Sequence, residues 1–201
     1  HRALGLAETP SKAMPATQGL YTHFTGVRRW DASHSSTASP PYPVDDAAVH
    51  HVFDGGWIWV LRFNNGITSA GVAANEKLAD ELRLVEGERA WKRLLDRLPS
   101  VREQFQTATP RLPFVHASRL PFRSASVSGE RWALLPSAAG FVDPLLSTGF
   151  PLTLLGIERL AKVFENDWDS PQLPDRLRHY ERQTLDELDA ASALIGALYA
   201  N

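Results

Sequence analysis

The stretch with the most chemical potential is Gly140-Phe-Val-Asp-Pro-Leu-Leu-Ser-Thr-Gly149, set between an apolar run (Arg131–Leu135) and a helical pattern from Leu152 to Phe164. Its small residues would let a ligand or another backbone approach closely. A helix that starts at Ser147–Gly149 leaves its first backbone N–H groups without partners. With the helix dipole, that end favours an anion or an electron-rich ring edge. Spacing alone favours a plainer account, with Ser147 or Thr148 as an N-cap and Gly140 as a turn. Asp143 either caps the turn or contacts a bound ring. The second feature is Trp57-Ile-Trp59. Indole offers no acid or base near neutral pH, so the expected role of Trp57 and Trp59 is packing, or a steric and aromatic wall.

Other residue clusters offer less. His50 and His51 are adjacent on an expected strand, so they face opposite sides and cannot chelate one metal together. His23 and His116 are isolated, and no metal site is expected, since zinc needs three or four convergent ligands. Arg62, Arg123 and Arg131 could meet an anion, but ion-paired or solvated arginine is the default. No G-x-S-x-G or P-loop occurs, and Asp45-Asp46 is no carboxylate dyad.

The elements that must position these groups are legible in places. Residues 1–20 read as a connecting segment and Tyr21–Val27 as a strand. Residues 31–46 are rich in Ser, Thr, Ala and Pro and read as a loop. Val49–Phe53, Trp57–Phe63 and Ile67–Val72 form an antiparallel meander through turns at Asp54-Gly-Gly56 and Asn64-Asn-Gly66. Asn-Gly suggests a type I′ turn, with positive φ at both central residues. In the middle strand Trp57, Trp59, Leu61 and Phe63 share one face, and Ile58, Val60 and Arg62 the other. Glu86–Leu98 is periodic and helical, Pro99 ends it, and Ser100 is placed as the cap of a short helix through Gln106. Pro113–Pro121 reads as irregular, Phe122–Val127 as a further strand and Arg131–Leu135 as a buried strand. Leu152–Phe164 and Pro174–Tyr199 read as helices.

Composition sets the bounds. The chain has 201 residues, 43% apolar and 22% charged, with a net charge of -2. That is enough to bury a core, and it leaves no basic footprint for nucleic acid. Cysteine is absent, which excludes disulfides and thiolate chemistry and fits a cytoplasmic setting. No apolar run approaches a bilayer span, so no membrane partner is expected. The start, His1-Arg-Ala-Leu-Gly5, reads as an internal point of a longer product.

Gly140–Gly149 resembles the second FAD-binding segment of flavin-dependent tryptophan halogenases and related FAD-dependent monooxygenases, where a Gly-Phe-x-Asp-Pro…Ser-Thr-Gly sequence lies along the cofactor. Trp57-Ile-Trp-Val-Leu-Arg62 is similar to the Trp-x-Trp-x-Ile-Pro signature of those halogenases, with Leu61-Arg62 in place of Ile-Pro. The resemblance implies cofactor contacts at Gly140, Asp143, Pro144, Ser147, Thr148 and Gly149, with the Thr148-Gly149 pair also near halide. It implies a substrate-side wall at Trp57 and Trp59. Four departures accompany it. The G-x-G-x-x-G fingerprint and the early active-site lysine have no counterpart here, Leu146 stands where tryptophan halogenases carry glutamate, and Pro136-Ser137 replaces the usual Gly-Asp.

The fold expected is α+β: an antiparallel substrate-domain sheet, then the strand–loop–helix of an FAD domain and a C-terminal helical tail. The expected division is 1–127 for substrate binding and 128–201 for the C-terminal part of the FAD-binding domain. The function expected of the longer protein is FAD-dependent oxidation of a small organic substrate. Halide and a flavin reductase are candidate partners, and a homo-oligomer is a candidate assembly. This segment alone is expected to be inactive and to hold no FAD. The alternative is a non-catalytic module of the same descent that binds a ligand or a partner on its aromatic sheet.

Overall fold

The structure, a computed structural model, describes residues 4–9, 16–34 and 41–200. The chain divides into two compact units, one of residues 17–119 and one combining residues 1–16 with 120–201.

The first unit is a sheet with helices packed on one face. Its strands are β1 (Thr17–Thr25), β2 (Val49–Phe53), β3 (Gly56–Arg62), β4 (Thr68–Asn75), β5 (Thr109–Pro110) and β6 (Val115–Ala117), ordered β2-β3-β4-β1-β5 with β6 also pairing β1. All pairings are antiparallel. Alternation along the strands sends Leu20 and Phe24, Ile58 and Val60, and Ala70, Val72 and Ala74 into one buried core. Three helices cover it: α1 (Glu76–Leu82), α2 (Glu88–Arg97) and α3 (Pro99–Gln104). Leu78, Leu82, Ala90, Trp91, Leu94 and Val101 supply their apolar side. Beside the small residues of β4, Phe105 meets Phe24 and Trp91 edge-on at 5.3 Å, and Phe24 and Trp91 lie tilted 5.8 Å apart.

Several expectations need correction in this unit. Strand β1 begins at Thr17, inside the segment expected to be a connection. Helix α1 was not expected; Asn75 caps it by accepting the Leu78 amide at 2.9 Å. Pro99 does not merely end α2, since it opens α3 at the first turn, where a missing N–H costs nothing. Leu98, not Ser100, occupies the cap position. The turn after β3 is not type I′, because Gly66 has positive φ and Asn65 does not. The Asn65 side chain instead accepts the Ile67 amide at 3.1 Å. Within the irregular stretch 113–121, residues 115–117 form β6. Of the loop expected at 31–46, residues 35–40 lie outside the described residues and Val44–Asp46 form one turn of 3-10 helix.

The second unit has little sheet: of the strand expected at Phe122–Val127, Phe122–Arg123 form β7, which pairs with β8 (Gly140–Phe141). Arg131–Leu135 is not a buried strand. Hydrogen bonds from Gly129 N to Trp132 O and from Leu134 N to Val127 O fold it into a tight hairpin with a single bridge, Ser128 to Ala133. Arg131 is exposed, with its guanidinium 4.1 Å from the centre of the Trp168 ring. A short α4 (Pro136–Ala139) leads into β8, and two long helices follow, α5 (Gly149–Asp167) and α6 (Leu173–Tyr199). Val127, Ala139, Leu160, Leu173, Leu177, Tyr180 and Leu188 form this unit's core.

Polar contacts run along α6. Tyr180 donates to Leu134 O at 2.8 Å. Glu181 accepts the Val127 and Ser128 amides at 2.5 and 2.6 Å. Asp189 takes the Arg123 guanidinium at 3.0 Å. The helix is thus the strut onto which the loops of this unit are fastened. Among the described residues, no helix is long and apolar enough to cross a membrane.

Candidate cofactor edge and aromatic wall

The segment singled out in the sequence runs from β8 to the start of α5. Gly140 is buried and extended, and a side chain on it would meet Leu188 of α6 at 2.8 Å and Phe122 O at 3.1 Å. Its bareness serves packing inside this unit. Asp143 is 2% exposed and accepts the Leu145 amide at 3.0 Å, closing a turn over Pro144. Its second oxygen accepts the Tyr199 hydroxyl at 3.1 Å, a partner that sequence reasoning missed.

Past Pro144 the backbone becomes unusual. Leu146 and Ser147 both take left-handed conformations, at φ 61° and 51°. Non-glycine residues adopt that region at a cost of about 1–2 kcal/mol each. Leu146 is also 54% exposed, so burial does not offset the strain there. The twist delivers Thr148 and Gly149 to the start of α5. Thr148 sits at the cap position and makes no side-chain cap, against the plainer account of the helix start. A side chain at Gly149 would meet nothing within 4 Å. Pro151 has no N–H, so the amides of Gly149 and Phe150 dominate the exposed first turn. A helix of 19 residues therefore begins with uncapped donors beside open space. Such a start suits an anion or the electron-rich edge of a ring.

The aromatic wall lies in the sheet unit, on the face turned away from α1–α3. Trp57 is 3% exposed, with His50 edge-on at 4.8 Å and Trp59 at 5.7 Å. The half-buried Trp59 lies across β4 at Gly71 and next to Tyr21, with centroids 6.1 Å apart. A Cβ at Gly71 would sit 2.4 Å from both the Trp59 ring and Tyr21 Cβ. Gly71 is therefore the platform that allows the indole to lie flat. Farther along the same face, Phe63 stacks with His23 at 6.5 Å.

The weaker candidates have partners of their own. His51 faces away from His50, toward Trp30 and the Gln104 carboxamide at 3.2 Å. Arg62 bonds the fully buried Asp45 carboxylate at 3.0 Å and the Val27 carbonyl at 3.0 Å. Arg123 pairs with Asp189, and Arg131 with Asp169 and the Trp168 ring. Among the described residues, no group of three or more His, Asp or Glu is arranged to hold a metal ion.

The fold of this chain is similar to that of the halogenase PltM. That protein, solved in complex with phloroglucinol and FAD, superposes with a TM-score of 0.82 at 28% identity, covering 98% of this chain and 41% of its own. The model of the tryptophan halogenase family matches residues 24–201, and the chain belongs to that family. Tetracycline 7-halogenase of Kitasatospora aureofaciens is 36% identical over 170 residues, 80% of this chain and 30% of that protein. The monodechloroaminopyrrolnitrin halogenase PrnC of Pseudomonas fluorescens is 30% identical over 194 residues, 92% of this chain and 34% of that protein. The chain thus spans about a third of the length of these curated relatives.

Proposed function

We propose that the complete protein carrying this chain is an FAD-dependent halogenase that acts on a small organic molecule. The observation that carries this reading is the start of α5, uncapped at Thr148 and open at Gly149, inside a family match that runs from residue 24 to 201. The donor set fits a flavin edge: amides of a first helical turn, no competing side chain, and room for a flat group to approach. Bound FAD, once reduced by electrons from a flavin reductase, supplies the oxygen chemistry that oxidises halide. The chain's own contribution is placement. Thr148, Gly149 and Phe150 present N–H groups to an electron-rich edge, and Asp143 and Pro144 set the direction of that helix start. Ser147 adds a hydroxyl at the rim, while Gly140 contributes only by letting α6 pack closely. Trp59 provides an apolar, aromatic surface that excludes water from the organic substrate, and the buried Trp57 backs it from 5.7 Å.

Leu146 stands where the resemblance places a glutamate, and it offers no acid or base. Any proton removed from the substrate must therefore go to another group or to water.

Purification of the complete protein tests the reading. We expect yellow protein with flavin absorbance bands. Supplied with reduced FAD, O2 and bromide, it should add bromine to an electron-rich aromatic, detectable by mass spectrometry. Gly149→Trp fills the open space at the helix start and should abolish flavin uptake while the circular dichroism spectrum stays unchanged. A colourless protein that takes up no added FAD would overturn the proposal.

A further inference from the structure

The end of α6 reaches back to the segment that starts α5. Tyr199, the last residue of α6, donates its hydroxyl to Asp143 Oδ2 at 3.1 Å. The other oxygen of that buried carboxylate accepts the Leu145 amide. One side chain thus closes the turn and grips the terminal helix. Beyond Leu145 the Ser147 amide returns to the Pro144 carbonyl at 3.0 Å. Leu146 and Ser147 are exposed and left-handed, and Thr148 adds no cap. The body of α5 is held to α6 by the Arg159–Glu187 pair at 2.7 Å, so what the turn at Asp143 can still set is the first turn of α5.

We propose that Tyr199 is a positioning residue for the start of α5. Its hydroxyl fixes Asp143, Asp143 fixes the turn, and the turn sets where the Gly149 and Phe150 amides point. The proposal rests on reading that helix start as the flavin edge. Packing alone does not call for this contact. The core side of α6 is already supplied by Leu173, Leu177, Tyr180 and Leu188; Glu181 and Asp189 anchor different loops, and Glu187 pairs with Arg159 well past the start of α5. What Tyr199 adds is a hydrogen bond to a carboxylate, the stronger class of such bonds, made at the one turn that leads into the candidate site.

Tyr199→Phe in the complete protein keeps the ring and removes the hydroxyl. We expect an unchanged far-ultraviolet spectrum together with about tenfold faster amide exchange across residues 145–150, from the loss of one charge-assisted bond. The dissociation constant for added FAD should rise by a similar factor, and the circular dichroism of the bound flavin should change shape. Asp143→Asn should cost at least as much as Tyr199→Phe, because it also weakens the bond to the Leu145 amide. Adding Tyr199→Phe to it should cost little more, because the Tyr199 link is then already weakened. Exchange at 145–150 that matches wild type would overturn the proposal. So would faster exchange with unaltered FAD affinity, since the tie would then be structural only. If Tyr199→Phe does not fold, Asp143→Asn alone is judged by the same two readouts. A wild-type protein that takes up no FAD removes the flavin-edge reading and this proposal with it. That failure shows before any substitution is made, whereas failure of the Tyr199 link shows only in the variants.

Discussion

At the scale of single residues, the absent side chain of Gly71 and the half-buried ring of His51 each lead to a measurable expectation. Gly71→Ala would put a methyl group 2.4 Å from the Trp59 ring and from Tyr21 Cβ. The ring could swing away, but the Tyr21 Cβ is fixed to its strand. Overpacking of this kind costs about 1–3 kcal/mol, and a urea titration of Gly71→Ala should show it, with a changed tryptophan emission maximum as Trp59 is displaced. For His51, burial depresses the imidazole pKa below its ordinary value of 6.5, outweighing the Gln104 hydrogen bond and the Asp45 charge that pull it up. As pH falls through 6.5 the unfolded chain takes the proton first. The stability His51 contributes is therefore intact above that pH and is lost below it. The urea midpoint should fall with acid below pH 6.5, and His51→Gln should make that fall shallower. An equally steep fall in His51→Gln would assign the effect to other groups.

At the scale of elements, the meander β2–β3–β4 was readable because alternation and turn residues agree, and α2, α5 and α6 because their apolar periods are long. Where the sequence misled, two structures fit the same residues. Arg131–Leu135 is apolar enough for a strand, yet Trp132 folds over Gly129 and leaves room for one bridge only. Helix α1 has seven residues, too few to show a period, and only the Asn75 cap marked it. The site was legible where it is local: Gly140–Gly149 stood out by its small residues and its place before a helix. It was illegible where it is tertiary. The Asp143–Tyr199 contact spans 56 positions, and the platform at Gly71 exists only through the register that sets Trp59 and Tyr21 against it. Arg62, which replaces the proline of the related signature, turns out to hold the segments around β3 together. It binds Asp45, which also accepts the Asp31 amide at 2.9 Å. Asp45→Ala would leave Arg62 half-buried without its carboxylate and cost about 3 kcal/mol. Chemical denaturation measures the loss, and Arg62→Met should recover part of it in the double variant.

At the scale of the whole molecule, the second unit shows a large apolar surface. Phe150, Leu154, Leu155 and Ile157 of α5 are 41–71% exposed, and Leu194 and Leu198 of α6 about half exposed. Exposed apolar side chains at helical spacing, such as Phe150, Leu154 and Ile157, drive association. The 201-residue chain should therefore bind a hydrophobic dye and elute above its monomer mass, and Phe150→Glu with Leu154→Glu should reverse both. A monomeric, dye-silent parent chain would count against that expectation. The left-handed pair Leu146–Ser147 carries a different lesson, for anyone who would engineer the complete protein. Glycine at 146 would relieve about 1 kcal/mol of backbone strain, so a screen that selects for heat resistance would choose that position early. The same change would loosen the bend that aims α5. If α5 serves as proposed, thermostability and the aim of its first turn therefore compete at residue 146, and an engineering campaign should hold that position fixed while it improves the rest.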